Sequence, residues 1–138
     1  GIGSLVDPII KNKWSAPLAI ELDPELAERH PHVKQGDGLA LDWTGHHVLM
    51  NPPYKDALTW IEKGLDEAES LVALLRLGFL ASKRRHALFK RFPPYALGVL
   101  SKRPSFRHGR TDSSEYAWFI WTRWQGDHQT NVKWLIPR

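Results

Sequence analysis

The chain has 138 residues, 42% of them hydrophobic and 25% charged, a single domain's worth with enough apolar sequence for a core. It has no cysteine, which excludes disulfides and thiolate metal sites, and no apolar run near the ~18–20 residues that span a bilayer; with no signal-peptide pattern either, a cytoplasmic location is the expectation. The net charge of +4 is sharply partitioned: residues 1–70 carry six Lys/Arg against twelve Asp/Glu, whereas residues 71–110 carry ten Lys/Arg and no acid.

Gly1-Ile2-Gly3 opens the chain, and a helix is predicted over 4–13, with Ser4 as N-cap, Leu5, Val6, Ile9 and Ile10 at helical spacing, and Pro8 early in it. Residues 18–20 read as a short strand ending at Glu21. Asp23 then caps a helix that starts at Pro24 and carries Glu25 and Glu28 in its early turns. A brief strand over 33–35 leads into Gly36-Asp37-Gly38, and 46–50 form the next strand. Residues 56–69 are an amphipathic helix whose apolar stripe is Ala57, Leu58, Ile61, Leu65 and Ala68. Residues 71–75 are continuously apolar, as in a parallel strand buried on both faces. A basic helix over 80–91 and strands over 95–100 and 116–121 follow, and the aromatic tail from Gln125 predicts no element. Alternating strands and helices imply a Rossmann-like α/β/α three-layer sandwich with a mostly parallel sheet, and the closing strand pair implies an antiparallel edge.

The stretch around which these elements are organised is Val48-Leu49-Met50-Asn51-Pro52-Pro53-Tyr54. Two successive prolines have fixed φ and no N–H, so they neither continue a sheet ladder nor sit inside a helix. They hold a rigid, extended loop past the strand end, presenting the Asn51 amide, the Pro52 carbonyl and the Tyr54 ring at the sheet edge where open α/β folds bind ligands. The plainer reading is a strand-to-helix turn punctuated by Asn and Pro. Further polar points end the other strands. The Gly1-Ile2-Gly3 loop permits close ligand approach to backbone amides. Glu21 lies near the spacing at which an acid bonds a ribose hydroxyl, and Asp37 ends the third strand. Glu21 and Asp37 also serve equally well as turn residues taken singly.

The seven histidines lack the spacing or carboxylate context of a metal site, so no metal is expected. The tryptophans read mostly as core and edge-strand residues, with the spacing of Trp118 and Trp121 leaving room for one of them to be exposed.

With these residues in place, the chain resembles the class I S-adenosylmethionine-dependent methyltransferases, specifically the DNA adenine-N6 group. Asn51-Pro52-Pro53-Tyr54 matches that group's catalytic motif. Ala19-Ile20-Glu21-Leu22-Asp23-Pro24 is similar to its ribose-binding segment, and Gly36-Asp37-Gly38 to the segment whose acid bonds the cofactor's adenine amino group. The later stretches Leu-Leu-Arg-Leu-Gly-Phe-Leu, Arg-Pro-Ser-Phe and Thr-Asp-Ser-Ser-Glu-Tyr-Ala-Trp-Phe are similar to small phage-type adenine methyltransferases, which implies a host-cell cytoplasm.

The resemblance implies one domain over 1–138, with a cofactor half and catalytic loop in 1–54 and a substrate half in 55–138. It implies S-adenosylmethionine as cofactor, held by Gly1, Gly3, Glu21, Leu22, Asp37 and Gly38. An adenine amino group is a poor nucleophile because its lone pair is delocalised into the ring. The Asn51 oxygen and Pro52 carbonyl would accept its two N–H bonds and free that lone pair, while Tyr54 stacks on the flipped base. Phe106 is a candidate for the base's other face, with an ordinary core position as the competing reading. Lys83, Arg84, Arg85, Lys90, Arg91, Arg107 and Arg110 are candidates for phosphate contacts, which makes DNA the expected partner; the acid-free block does not separate DNA from RNA. No separate recognition domain fits within the chain, so relaxed specificity or a partner subunit that supplies specificity is expected.

The resemblance also implies a central strand ahead of Gly1, between the strands that end at Glu21 and Asn51, and hence that the chain continues a longer product. Competing expectations are methylation of RNA adenine or of a protein glutamine, whose amide nitrogen poses the same lone-pair problem, and a non-catalytic nucleic-acid-binding derivative of the fold.

Overall fold

The computed structural model describes residues 8, 11–12, 17–102, 104, 113–123 and 129–136. They belong to two compact units, Gly1–Asp42 and Trp43–Arg138. Of the helix expected over 4–13, Pro8 and Lys11 are helical, and the Asn12 amide donates to the Pro8 carbonyl at 3.2 Å.

In the first unit, strand β1 (Ala19–Glu21) pairs in parallel with β2 (Val33–Gln35), with Glu21 opposite Gln35. Helix α1 (Pro24–Glu28) connects them. Its start is set by Asp23, whose Oδ1 accepts from the amides of Glu25 at 2.9 Å and Leu26 at 3.3 Å, a cap worth about 1 kcal/mol, with Pro24 in the first turn. After β2, Asp37 accepts from the Leu39 amide at 2.9 Å and starts a 3-10 turn over Gly38–Ala40.

The second unit contains β3 (His47–Met50), α2 (Ala57–Glu67), β4 (Ser70–Arg76), a 3-10 turn (Leu77–Leu80), α3 (Lys83–Arg91), β5 (Ala96–Leu100), β6 (Tyr116–Thr122) and β7 (Asn131–Leu135). The sheet order is β3-β4-β6-β5-β7. Four strands run the same way, and β6 lies antiparallel between β4 and β5. Ahead of β3, Gly45 takes φ 75°, a left-handed conformation that glycine adopts without steric cost, in a turn closed by the His46 amide on the Trp43 carbonyl.

One face of this sheet carries the core. Leu71, Ala73 and Leu75 of β4 stand opposite Trp121, Phe119 and Ala117 of β6, and Met50, Leu97 and the α2 residues Ala57 and Ile61 complete a buried cluster. Residues 57, 61 and 64 of α2 are the buried stripe, at the i, i+4, i+7 spacing of an amphipathic helix. Gly64 permits the close approach of α2 to β4: a Cβ there would lie 2.7 Å from Leu71 Cδ2. Helix α3 packs on the same face through Leu88 and Phe89, the latter with its ring 6.3 Å from that of Phe119.

The architecture is therefore mixed α/β, and it differs from the sequence expectation in three respects. The antiparallel strand is interior rather than at an edge, because Tyr-Ala-Trp-Phe-Ile-Trp is apolar on both of its faces and suits a position flanked by strands. The edge is instead β7, unforeseen in the aromatic tail; all five of its residues are exposed, and it is tied in by the Asn131 amide on the Tyr95 carbonyl and by Thr130 Oγ1 on the Pro94 carbonyl at 2.7 Å. Finally, α2 and α3 share one face, and β1–β2 forms a sheet of its own. Among the described residues β1 pairs only with β2 and β3 only with β4, so no strand joins the two sheets.

Candidate active site

The loop after β3 is seated by burial at one residue and exposure at its neighbours. Met50, the last strand residue, and Pro52 are buried, whereas Asn51, Pro53 and Tyr54 face solvent. The Pro53 carbonyl accepts from the Asp56 amide at 3.1 Å, which closes the turn into α2. The Asn51 side chain is exposed and makes no hydrogen bond to another described residue.

Because β3 and β4 are parallel, with Met50 opposite Ala73, the loop and the last residues of β4 share the carboxyl edge of the sheet. Arg76 ends β4 there and stands opposite Tyr116, the first residue of antiparallel β6. The two join Tyr54 in a closed cycle of contacts. The Tyr54 and Tyr116 hydroxyls lie 2.5 Å apart, Arg76 Nε donates to the Tyr116 hydroxyl at 3.2 Å, and the Arg76 guanidinium carbon lies 4.0 Å from the Tyr54 ring centroid. Tyr116 is fully buried, while Tyr54 keeps 44% of its surface exposed. Sequence reasoning attached no role to Arg76 or Tyr116. The available signal was a lone cation at the end of the apolar run 71–75, on the same edge as the proline loop.

In the first unit, the predicted cofactor residues Glu21, Leu22, Asp37 and Gly38 gather at the carboxyl end of the β1–β2 pair. A Glu21 carboxylate oxygen accepts from the Asp23 amide at 3.2 Å, and the Gly36 amide donates to the Glu21 carbonyl at 2.9 Å, drawing the two strand ends together. Leu22 is 67% exposed beside that carboxylate. Glu21 and Asp37 thus bring two carboxylates, and Leu22 an exposed apolar side chain, to the carboxyl end of one strand pair, residue types that could hold hydroxyl and amino donors around an apolar ring.

The basic helix divides its cations. Lys83, Arg84, Lys90 and Arg91 are exposed. Arg85 belongs with Leu88 and Phe89 on the inner side: its Nε donates to the Phe79 carbonyl at 2.6 Å, its Nη2 to the Gly78 carbonyl at 3.1 Å, and its guanidinium lies over the Phe79 ring at 4.5 Å. Those donors serve the 3-10 turn, an inner role for Arg85 beside the phosphate contact expected of it. The missed signal was the 85/88/89/92 spacing, the inner stripe of a helix. Histidines engage local partners: His47 Nδ1 lies 2.8 Å from Ser70 Oγ, and His30 Nδ1 accepts from the His32 amide. Of the expected tryptophans, Trp121 is buried and its Nε1 donates to the Phe92 carbonyl at 3.0 Å, whereas Trp118 is half-buried.

Gly1, Gly3, Phe106, Arg107 and Arg110 lie outside the described residues. No helix among the described residues is long and apolar enough to cross a membrane. In comparisons with known proteins, no protein-family model matches the chain and no curated protein matches it.

Proposed function

We propose that the protein methylates the exocyclic N6 of adenine in DNA, using S-adenosylmethionine within a Rossmann-like methyltransferase fold. The observation that carries this reading is the Asn51–Tyr54 loop itself, with a buried Pro52 fixing its path and an exposed Asn51 amide and Tyr54 ring at the carboxyl edge of the sheet. S-adenosylmethionine, when bound, supplies an electrophilic methyl group on a sulfonium. The residues of this chain do the rest. Glu21 and Asp37 accept hydrogen bonds from the cofactor's ribose and adenine, and Leu22 covers an apolar face of it.

Asn51 and the Pro52 carbonyl accept the two N–H bonds of the substrate amino group. They hold its lone pair out of the ring; as the new N–C bond forms the methyl–sulfur bond breaks, its electron pair staying on the departing thioether sulfur, and the amino proton passes to solvent. Such fixed acceptors cost no reorganisation at the moment of reaction, which is where most of the rate gain lies. Tyr54 offers a stacking surface to the extrahelical base, an interaction worth about 1–3 kcal/mol. Lys83, Arg84, Lys90 and Arg91 supply an exposed cationic surface for the nucleic-acid backbone.

The test is incubation with methyl-labelled S-adenosylmethionine and, separately, unmethylated DNA, RNA and a glutamine-containing protein. Label in DNA supports the reading. Label confined to RNA or protein replaces the substrate, and salt-sensitive DNA binding without any transfer turns the protein into a binding module.

A further inference from the structure

Among the contacts of the described residues, the Tyr54 side chain is gripped from two sides, and the grip comes from residues outside the loop. Tyr116 is fully buried and held in the β4–β6 ladder opposite Arg76. Its hydroxyl meets both the Tyr54 hydroxyl, at 2.5 Å, and Arg76 Nε, at 3.2 Å. Arg76 reaches from that anchor across one face of the Tyr54 ring, 4.0 Å from its centroid. A phenol ring pinned at its hydroxyl and covered on one face has lost most of its rotational freedom before any ligand arrives. It also has a single face left for a planar group.

We propose that Arg76 and Tyr116 are positioning residues for Tyr54, fixing its ring so that one planar base stacks on the face opposite the guanidinium. The stacking role of Tyr54 rests on the proposed function; the clamp on its ring does not. Arg76 contributes in two ways, by the cation–π contact and by the planar fork that orients Nε to the Tyr116 hydroxyl. Lysine reproduces only the charge. Ordering the ring in advance removes an entropic cost that would otherwise fall on base binding.

Two measurements test this. In the NMR spectrum of the free protein, the Arg76 side-chain protons are expected to show an upfield ring-current shift that disappears in Tyr54→Ala; no such shift in the wild type overturns the clamp, whatever the protein's activity. The second measurement is quenching of 2-aminopurine in single-stranded DNA, with Arg76→Gln, Arg76→Lys and Tyr116→Phe made alone and on a Tyr54→Ala background. Each is expected to weaken quenching by about five- to tenfold alone and by less than twofold when Tyr54 is already alanine, because coupled residues are not additive. Additive effects, with Arg76→Gln lowering the salt slope by about one, make Arg76 a plain phosphate contact and overturn the proposal. Stronger quenching in Arg76→Gln also overturns it, since the guanidinium would then be competing with the base. If the wild type quenches nothing, the proposed function fails, and the ring-current shift alone decides the clamp.

Discussion

Arg85 Nε donates to the carbonyl of Phe79 at 2.6 Å while its guanidinium covers the same residue's ring at 4.5 Å, so one side chain fixes both the backbone and the side chain of Phe79. Phe79 in turn meets Phe89 and Phe119 edge-on, at 5.9 and 6.2 Å. Arg85 thus links the basic helix to the core. Its neighbour Arg84 makes none of these contacts and faces solvent. Arg85→Ala is expected to destabilise the protein by about 1–3 kcal/mol, since two carbonyls lose a charged donor. Arg84→Ala is expected to change stability by less than about 0.5 kcal/mol and to lower the salt slope of DNA binding by about one. Denaturant titrations and salt-dependent binding curves on the two variants check the contrast.

The core makes an independent prediction. Ile61 is fully buried against β4, and Gly64, one turn on, brings the helix onto Leu71. Ile61→Ala is expected to cost about 2–5 kcal/mol, from lost burial plus the cavity left behind. Gly64→Val places a branched side chain where even a Cβ meets Leu71 at 2.7 Å, and is expected to cost about 1–3 kcal/mol. Urea unfolding followed by tryptophan fluorescence measures both.

The proposed cofactor residues are tested by Glu21→Gln. The amide keeps an oxygen for the Asp23 N–H, so thermal stability is expected to stay within about a degree or two. The loss of the charge-assisted bonds to ribose hydroxyls is expected to weaken S-adenosylmethionine binding by roughly tenfold or more, read by calorimetric titration. Equal affinity in the variant removes Glu21 from the cofactor site.

Much of this was legible in the residues, for definite reasons. Asp23-Pro24 announces α1 because an N-cap acceptor and a residue without N–H both satisfy a helix start, and the apolar stripe Ala57, Leu58, Ile61, Leu65 and Ala68 announces α2 because burial follows the helical period, although the role of Gly64 in it was not foreseen. The placement of β6 was not legible: periodicity reports that a strand is apolar on both faces, and says nothing of which two strands flank it. Strand β7 was hidden because Asn-Val-Lys-Trp-Leu is wholly exposed and carries no burial pattern at all. The proline loop was readable from backbone constraints alone. Its support was not, since Arg76 and Tyr116 are 40 residues apart and meet only through the β4–β6 register.

Removal of the Asn51 amide tests the central claim most directly. The side chain is exposed, so Asn51→Ala should fold as the wild type does, leaving chemistry as the only thing altered. The measurement is N6-methyladenine, by mass spectrometry of nucleosides from unmethylated DNA incubated with S-adenosylmethionine and either protein. The account predicts N6-methyladenine with the wild type and a loss of about 10²–10³-fold in Asn51→Ala, the scale for removing one fixed polar group from a transition state. Equal methylation by the variant, or a wild type that marks no adenine while marking another acceptor, would contradict it.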